Sequence, residues 1–178
     1  NQNSVLNIGS PTKFYLDGYT SAQQVVLSGT FNDWSPHEIP MTKTTTGWEI
    51  NYVLPSGNYE YKFVVDGKWI TDPNNSLTTG SGDYVNSFVS VNPNWTFELD
   101  HLPHMKHVEV SGNFNGWSLE GYPLQRKGDQ WVGEIYLPTG KCLYKFLVND
   151  EWMVDPKNDL YENNEFGTRN SIVWISIQ

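Results

Sequence analysis

The sequence contains one cysteine, one alanine and no long apolar run. Because Cys142 has no partner, an internal disulfide is impossible and a disulfide-stapled secreted scaffold is excluded. No apolar stretch approaches the roughly 18 residues that a membrane-spanning helix needs. Alanine, the strongest helix former, occurs only as Ala22, so the composition disfavours a helical fold.

Basic residues are also scarce. The 178 residues include 11 Lys and Arg against 20 Asp and Glu, a formal net charge of −9 at pH 7. Nucleic acids and anionic membranes both attract a basic surface, and this balance argues against either partner. The stretch from Asn1 lacks the charged and apolar regions of a secretion signal, and the chain does not begin with Met. We expect a processed chain or a piece of a longer one, in a compartment that the sequence leaves open.

Aromatic and turn-forming residues are abundant instead. The chain has 8 Trp, 10 Tyr and 8 Phe, together with 15 Gly and 10 Pro spread along its length. Aromatic residues favour strands, while glycine and proline mark the turns between them. With 38% hydrophobic residues the chain can form a core, so the composition predicts an all-β fold.

An internal duplication divides the chain. The segment 28–34, Ser-Gly-Thr-Phe-Asn-Asp-Trp, returns at 111–117 as Ser-Gly-Asn-Phe-Asn-Gly-Trp, and 24 of 64 residues are identical between 14–77 and 97–160 without a gap. A unit of this size suits a small β-sandwich better than a solenoid repeat. We place the boundary near 92–94, which predicts one domain over 10–92 and another over 93–178. These are called the first and second repeats.

Within each repeat the hydrophobic pattern has a period of two. Trp48 begins a strand face of alternating apolar residues, and Trp131 has the same inward parity in the second repeat. Another alternating run places Glu60 and Lys62 on the face opposite Tyr61. Six or seven short strands at this spacing predict two tandem immunoglobulin-like antiparallel β-sandwiches.

Catalytic and metal-binding motifs are missing. No nucleophile elbow, phosphate-binding glycine loop or His-Glu metal motif occurs. His101, His104 and His107 form a cluster interrupted by Pro103, for which a solvated loop is the favoured interpretation over a metal site. The acidic segment 155–165 lacks calcium-loop spacing and is read as a turn. Cys142 shares strand parity with aromatic neighbours, so we expect a small buried residue rather than a nucleophile.

An aromatic and polar set recurs in both repeats. A flat indole packs on the apolar face of a sugar ring, while lysine and asparagine hydrogen-bond its hydroxyls, so the set is typical of a sugar-binding site. Packing inside a small β domain is the alternative for the same tryptophans, and the pattern alone leaves both open. The members are Trp34, Lys62, Trp69 and Asn86 in the first repeat, and Trp117, Lys145, Trp152 and Asn170 in the second.

Two further tryptophans have no counterpart in the other repeat. Thr12 stands where the second repeat has Trp95, and Ser90 stands where it has Trp174. One interpretation is that these residues pack between the repeats.

The combined motifs resemble carbohydrate-binding module family 48, and in particular the glycogen-binding domain of the AMP-activated protein kinase β subunit. The resemblance covers nearly the whole chain, twice. It rests on Ser-Gly-x-Phe-Asn-x-Trp, Leu-Pro-x-Gly, Tyr-Lys-Phe-x-Val, Trp-x-x-Asp-Pro and a late asparagine. It implies an early-set immunoglobulin-like sandwich that binds α-1,4-linked glucans, namely glycogen, starch and maltooligosaccharides, without catalysis or a cofactor.

The resemblance also implies roles for individual residues. The two stacking tryptophans of the family fall on Trp34 and Trp69 and on Trp117 and Trp152, its lysine on Lys62 and Lys145, and its asparagine on Asn86 and Asn170. The family's apolar binding loop matches Phe166-Gly167-Thr168. The first repeat has Gly82-Asp83-Tyr84 there, so its apolar contact is missing unless Leu77 or Tyr84 supplies it.

Two other functions stay open at this stage. In the first, the chain is a protein-interaction or spacer module with a vestigial sugar site. In the other it is the accessory part of a longer α-glucan-active enzyme, with the catalytic domain as its partner.

Overall fold

The computed structural model describes residues 11–177, and the fold over that range is all-β. The outer ends of the two predicted domains, Ser10 and Gln178, and the stretch from Asn1 lie outside the described residues. Within 11–177 no helix is long and apolar enough to cross a membrane. The helical segments in this range are short 3-10 turns at Thr30–Asn32, Gly82–Tyr84 and Asn113–Asn115.

The first repeat folds into two antiparallel sheets. Its small sheet has the strand order β1-β4-β3, and its large sheet the order β2-β5-β8-β7 with β6 paired to β5. The strands are β1 (Pro11–Asp17), β2 (Val25–Gly29), β3 (Thr42–Lys43), β4 (Gly47–Val53), β5 (Gly57–Val65), β6 (Lys68–Ile70), β7 (Thr78–Thr79) and β8 (Asn86–Val91).

The second repeat builds the same pair of sheets. Its small sheet has the order β12-β13-β9, and its large sheet the order β11-β10-β14-β17-β16 with β15 paired to β14. The strands are β9 (Trp95–Asp100), β10 (Val108–Gly112), β11 (Tyr122–Pro123), β12 (Gln125–Lys127), β13 (Gln130–Ile135), β14 (Gly140–Val148), β15 (Glu151–Met153), β16 (Tyr161–Asn163) and β17 (Arg169–Ile175).

The alternating residues of the strands form the two cores, as their period predicts. Tyr61 and Phe63 on β5 are buried against Phe14, whose ring meets that of Tyr61 edge-on at 5.0 Å. Trp48 and Trp131 are buried in their respective cores, which confirms the prediction from their parity. Burying apolar side chains of this size contributes about 1.5–3 kcal/mol each, so these faces stabilise the sandwiches.

The single cysteine lies in the second core. Cys142 on β14 is buried beside Tyr144 and Phe146, as its parity predicts. Burial raises the pKa of its thiol, which disfavours the reactive thiolate.

The first repeat packs its large sheet against the second repeat. Phe88 is on β8 and its side chain is on the outer face of the sheet, yet it is only 2% exposed because it joins the core cluster of the second repeat. Its ring centroid lies 5.3 Å from that of Tyr122. Burial raises the pKa of Tyr122, consistent with its place between the repeats.

Hydrogen bonds extend this contact along the same face. The backbone N–H of Tyr136 donates to the Ser90 hydroxyl at 2.9 Å and to the Asn58 side-chain oxygen at 3.2 Å, and the Asn58 amide donates to the Tyr136 carbonyl at 2.8 Å. Half of the outer face of the first large sheet is therefore an interface.

The interpretation that Trp95 and Trp174 pack between the repeats is wrong. Trp95 is 38% exposed and Trp174 64% exposed, and both line a groove of the second repeat itself. The interface is formed by the outer face of β8 in the first repeat. Trp174 lies on the corresponding face of β17 in the second repeat, outside that interface.

Candidate functional site

A tight turn places one tryptophan of the first repeat beside the large sheet. The side-chain oxygen of Asn32 accepts a hydrogen bond from the backbone N–H of Gly29 at 3.0 Å. The N–H of Trp34 then donates to the Gly29 carbonyl at 3.0 Å, and Trp34 adopts a φ of 58°. This left-handed conformation is uncommon for a bulky residue, so the turn holds the indole against a local strain.

The second repeat reproduces that turn in detail. Asn115 accepts from the N–H of Gly112 at 2.9 Å, and Trp117 donates to the Gly112 carbonyl at 2.9 Å with a φ of 57°. A strained tryptophan kept in both copies indicates a constraint on where the indole lies, beyond the needs of packing.

The glycine of the motif is required by close approach of the neighbouring strand. A Cβ atom on Gly29 would lie 2.3 Å from the carbonyl oxygen of Glu60, and one on Gly112 would lie 2.1 Å from that of Leu143. Neither distance is sterically possible, so the sequence Ser-Gly-x-Phe-Asn-x-Trp encodes the strand contact and the turn together.

A second tryptophan meets the first in each repeat. Trp69 on β6 lies with its ring centroid 6.2 Å from that of Trp34, and Trp152 on β15 lies 6.0 Å from Trp117 at an interplanar angle of 64°. Trp69 and Trp152 are 40% and 42% exposed. Each pair therefore presents indole surface to solvent rather than to a core.

The same indoles also cover an apolar residue of the sheet. Val64 is opposite Trp69 in register, Leu147 is opposite Trp152, and both are buried although they do not belong to the sandwich cores. The packing interpretation and the sugar-binding interpretation of these tryptophans are therefore compatible. One side of each ring packs on the sheet, and the other side is exposed to solvent.

A groove of about 670 Å³ lies beside the tryptophan pair of the second repeat. Lys145 on β14 is buried in its wall, and its Nζ donates to the Thr168 hydroxyl at 2.8 Å. Burial lowers the pKa of Lys145. Phe166, at the tip of the loop between β16 and β17, is 81% exposed and faces the groove from its rim.

Asn164 holds this loop in shape. Its side-chain oxygen accepts from the backbone N–H groups of Phe166 and Thr168 at 3.1 and 3.0 Å, and its amide donates to the Thr168 hydroxyl at 2.8 Å. The Asn164 amide also donates to the side-chain oxygen of Asn170 at 3.1 Å. Because the oxygen of Asn170 is used in this way, its amide nitrogen is left to donate into the groove.

The groove thus combines aromatic surface with placed donors and acceptors. Trp152 and Phe166 offer flat apolar area, while Lys145 and Asn170 offer donors that their bonds to Thr168 and Asn164 hold in position. Its volume lies within the range of about 300–1,000 Å³ typical of small-ligand sites. The arrangement suits a ligand with both apolar faces and hydroxyl groups, which describes a sugar ring.

The first repeat assembles its tryptophan pair with a different polar set. Glu60 stands where the second repeat has Leu143, and its carboxylate accepts from the amide of Asn86 at 2.8 Å. One N–H of the Asn86 amide is therefore engaged by Glu60, whereas the Asn170 amide nitrogen has no such partner among the described residues. Lys62 lies on the outer face as its parity predicts, half-buried.

The loop of the first repeat also differs. Gly82–Tyr84 forms a short 3-10 turn, and Tyr84 is 82% exposed. Leu77 cannot supply the missing apolar contact because it packs against the core of the second repeat, so that alternative is wrong. Tyr84 keeps the exposure that such a contact requires.

Two residues of the groove, Asn164 and Leu143, are not predicted from the sequence. Asn164 carries the signal of an Asx turn, an asparagine two residues before Phe166 and three before Gly167. Leu143 is an apolar residue at an outward position between Lys141 and Lys145, a pattern that marks exposed apolar surface.

The histidine cluster and the acidic segment have structural roles. The residues 101–107 form the loop between β9 and β10, in which His107 contacts Glu109 at 3.0 Å. Asp155 opens a turn, as predicted, and accepts from the Tyr144 hydroxyl at 2.6 Å. The turn interpretation is wrong for the part of the acidic segment that forms β16, Tyr161–Asn163. Within residues 11–177 no three His, Cys, Asp or Glu side chains are grouped to hold a metal ion.

A β-sandwich with a solvent-facing tryptophan pair beside an amide- and ammonium-lined groove belongs to the class of carbohydrate-binding modules. The sequence matches the family described as "Glycogen recognition site of AMP-activated protein kinase" twice, over residues 10–98 and 96–178. The chain therefore belongs to this family, whose domain is a non-catalytic carbohydrate-binding module.

Two curated relatives each match about half of this chain. The AMP-activated protein kinase subunit β-1 of Rattus norvegicus is 37% identical over 81 residues, covering 46% of this chain and 28% of the relative. The β-2 subunit of Mus musculus is 36% identical over 91 residues, covering 50% of this chain and 33% of the relative. The matched region thus spans about a third of those relatives or less.

Among solved structures, a maltogenic amylase from S. marinus aligns with 96% of this chain and 30% of its own. The sequence identity is 14% and the TM-score 0.42.

Proposed function

We propose that the chain binds α-1,4-linked glucans such as glycogen, starch and maltooligosaccharides, with one site in each of the domains 10–92 and 93–178. Tryptophan stacking and hydroxyl recognition carry the binding, without catalysis. The proposed contact residues are Trp34, Lys62, Trp69 and Asn86 in the first repeat, and Trp117, Lys145, Trp152, Phe166 and Asn170 in the second.

The observation that carries this proposal is the exposed tryptophan pair beside the groove of the second repeat. Trp117 is held in position by a strained turn and Trp152 is 42% exposed, so the pair keeps indole surface fixed and open to a ligand. The exposure of Trp152 and Trp69 also favours binding over a spacer module, in which these rings would be covered.

The two sites are expected to differ in strength. The second repeat has the apolar loop residue Phe166 and a free amide on Asn170, whereas Asn86 is engaged by Glu60. Burying about 100 Å² of indole yields roughly 2.5 kcal/mol at ~25 cal/mol/Å², against an association cost of several kcal/mol. A single site is then expected to bind with a Kd between about micromolar and millimolar.

We further propose that the two glucan-binding repeats work as part of a larger assembly or a longer chain. The relatives are named as kinase subunits, and the matched region is a minor part of their length. A catalytic domain or subunit acting on glucan-bound material is the partner class that this arrangement supports.

The proposal is tested by native electrophoresis in gels that contain glycogen, amylopectin or a soluble cellulose derivative. We expect retardation by the two α-glucans alone. Trp152→Ala should reduce it strongly, by about tenfold or more in apparent affinity, and Trp69→Ala should reduce it less.

Thermal unfolding of each variant controls for folding, because Trp152 also covers Leu147. Unchanged mobility of the wild type in every gel would overturn the proposed function. Loss of binding with collapse of the fold in Trp152→Ala would be separated from a site effect by Trp152→Leu, which keeps an apolar cover over Leu147 but removes the flat aromatic face.

A further inference from the structure

The outer face of the second large sheet continues beyond the candidate site. Leu143 lines the candidate groove, and it is directly opposite Ile172 in the pairing of β14 with β17. Ile172 lines a second groove, of about 480 Å³, which also contains Trp174. The side chains of Leu143 and Ile172 therefore lie side by side on the outer face, at the edge of the candidate groove.

Trp174 lies on the same face of β17 as Asn170 and Ile172, since side chains alternate along a strand. Trp174 is four positions after Asn170, a distance of about 13 Å in an extended strand. Its indole is 64% exposed, more than any of the tryptophans at the candidate sites. Trp95, from the small sheet, forms another wall of the second groove and is 38% exposed.

An ion pair between the two strands that neighbour β17 crosses this strand between Asn170 and Trp174. Lys141 is opposite Trp174 and Glu162 is opposite Asn170, and the two side chains form an ion pair with each about a third exposed. A sugar hydroxyl can accept from the ammonium and donate to the carboxylate, so this pair offers polar contacts between the two aromatic surfaces.

The first repeat lacks this extension. Ser90 stands in place of Trp174, and Asn58 in place of Lys141, and both are hydrogen-bonded to Tyr136 of the second repeat. The matching face is thus an interface in one repeat and an open aromatic surface in the other. Exposed aromatic area of this kind marks a binding surface, and its continuity with the candidate groove identifies the occupant.

We propose that Trp174, with Trp95, forms a distal subsite that binds the same α-glucan chain as the candidate groove of the second repeat. This inference depends on the proposed function and adds a preference for long chains. A short oligosaccharide fills the groove at Trp152, and a longer one continues over Leu143 and Ile172 to Trp174.

The test compares calorimetric affinities for maltotriose and maltoheptaose in the full chain carrying Trp69→Ala, which weakens the first site. In that background we compare Trp174→Ser, the residue found in the first repeat, with Val53→Ser, a matched removal of an exposed apolar residue far from the groove. Trp174→Ser should weaken maltoheptaose binding about threefold to tenfold and change maltotriose binding less than twofold. Trp95→Thr should act in the same direction with a smaller effect.

Each other outcome counts against the distal subsite. Equal loss for both sugars would assign Trp174 to the fold, and Trp174→Tyr would then restore both together. If the affinity falls for neither sugar, the bound glucan ends before it reaches Trp174. A wild-type oligomer that Trp174→Ser dissociates, with the affinity ratio unchanged, would assign the face to self-association. Absence of sugar binding by the parent chain would overturn the proposed function itself, which separates the two failures.

Discussion

The large sheets of the two repeats carry the same tryptophan pair and differ in what surrounds it. In the second repeat, Leu143 and Phe166 add apolar surface beside the indoles, and Asn170 keeps a free donor. In the first, Glu60 engages Asn86, and Phe88 farther along the face is buried under Tyr122. Both repeats keep the turn that holds the tryptophan. The rest of the outer face contacts the second repeat in one case and is exposed in the other.

This difference shows that one sheet face can be divided between ligand and neighbour. The half of the first face nearest Trp34 and Trp69 stays open, and the half with Asn58 and Ser90 is used by the second repeat. The second repeat has no such neighbour on its face within the described residues, and there both halves are aromatic.

The strongest test of this difference between the repeats removes the aromatic contact that joins them. Phe88→Ala should lower the free energy of unfolding by about 3 kcal/mol, because the side chain is buried against Tyr122. Ile172→Ala, at the same register position of the second repeat, should cost about 1 kcal/mol because that residue is half-exposed. Urea unfolding followed by tryptophan fluorescence measures both, and similar losses would contradict the assignment of the interface.

A smaller effect is expected from converting the first site toward the second. Glu60→Leu removes the acceptor that holds the Asn86 amide and supplies the apolar residue found at 143. In a chain carrying Trp152→Ala, maltoheptaose affinity should rise about threefold to tenfold, as one freed hydrogen bond and one apolar contact predict.

The matched control for this gain is Glu60→Gln, which removes the charge and keeps a polar side chain at that position. If both variants leave the affinity unchanged, the weakness of the first site lies in its loop around Tyr84 and not in Glu60.

The smallest expected effect concerns pH. Glu109 stands where the first repeat has Val26, and burial raises its pKa although a hydrogen bond from His107 lowers it in part. Between the usual carboxyl pKa and this raised value the folded state binds more protons than the unfolded one. The contribution to stability is therefore greatest below that window and falls as the pH rises through it.

Glu109→Gln should flatten this slope without changing glucan binding. Thermal unfolding across the acidic range checks it, and a slope identical to that of the wild type would show that another group titrates in this window.

Most of the fold could be predicted from the sequence because strand parity and the duplication are local signals. The burial of Trp48, Trp131 and Cys142 and the outward direction of Lys62 follow from a period of two. Parity also places Phe88 on an outer face, but it cannot show that another domain covers that face. The sequence therefore does not predict the interface, and the interpretation that places Trp95 and Trp174 there is wrong.

The candidate site was predicted less completely for a related reason. The recurrence of Trp34 and Trp117 identifies the turn, since both copies keep it. The hydrogen bond from Asn86 to Glu60 depends on the register between β5 and β8, which the sequence does not determine. Asn164 acts through the shape of its loop, and a loop of this kind has no counterpart in the other repeat.

The short connection between the repeats has a consequence for binding to a polymer. Residues 92–94 join β8 to β9, and the Asn94 side chain bonds both the N–H and the carbonyl of Leu137, at 2.8 and 2.9 Å. If both proposed sites bind glucan, a flexible tether would let them find neighbouring chains by diffusion. Because the contacts of Phe88, Asn58 and Ser90 with the second repeat hold them in place instead, they would engage together only where glucan branches have the matching spacing. The gain from the second site then depends on the architecture of the polysaccharide, and a glycogen particle and a linear chain of equal sugar content would be bound with different strength.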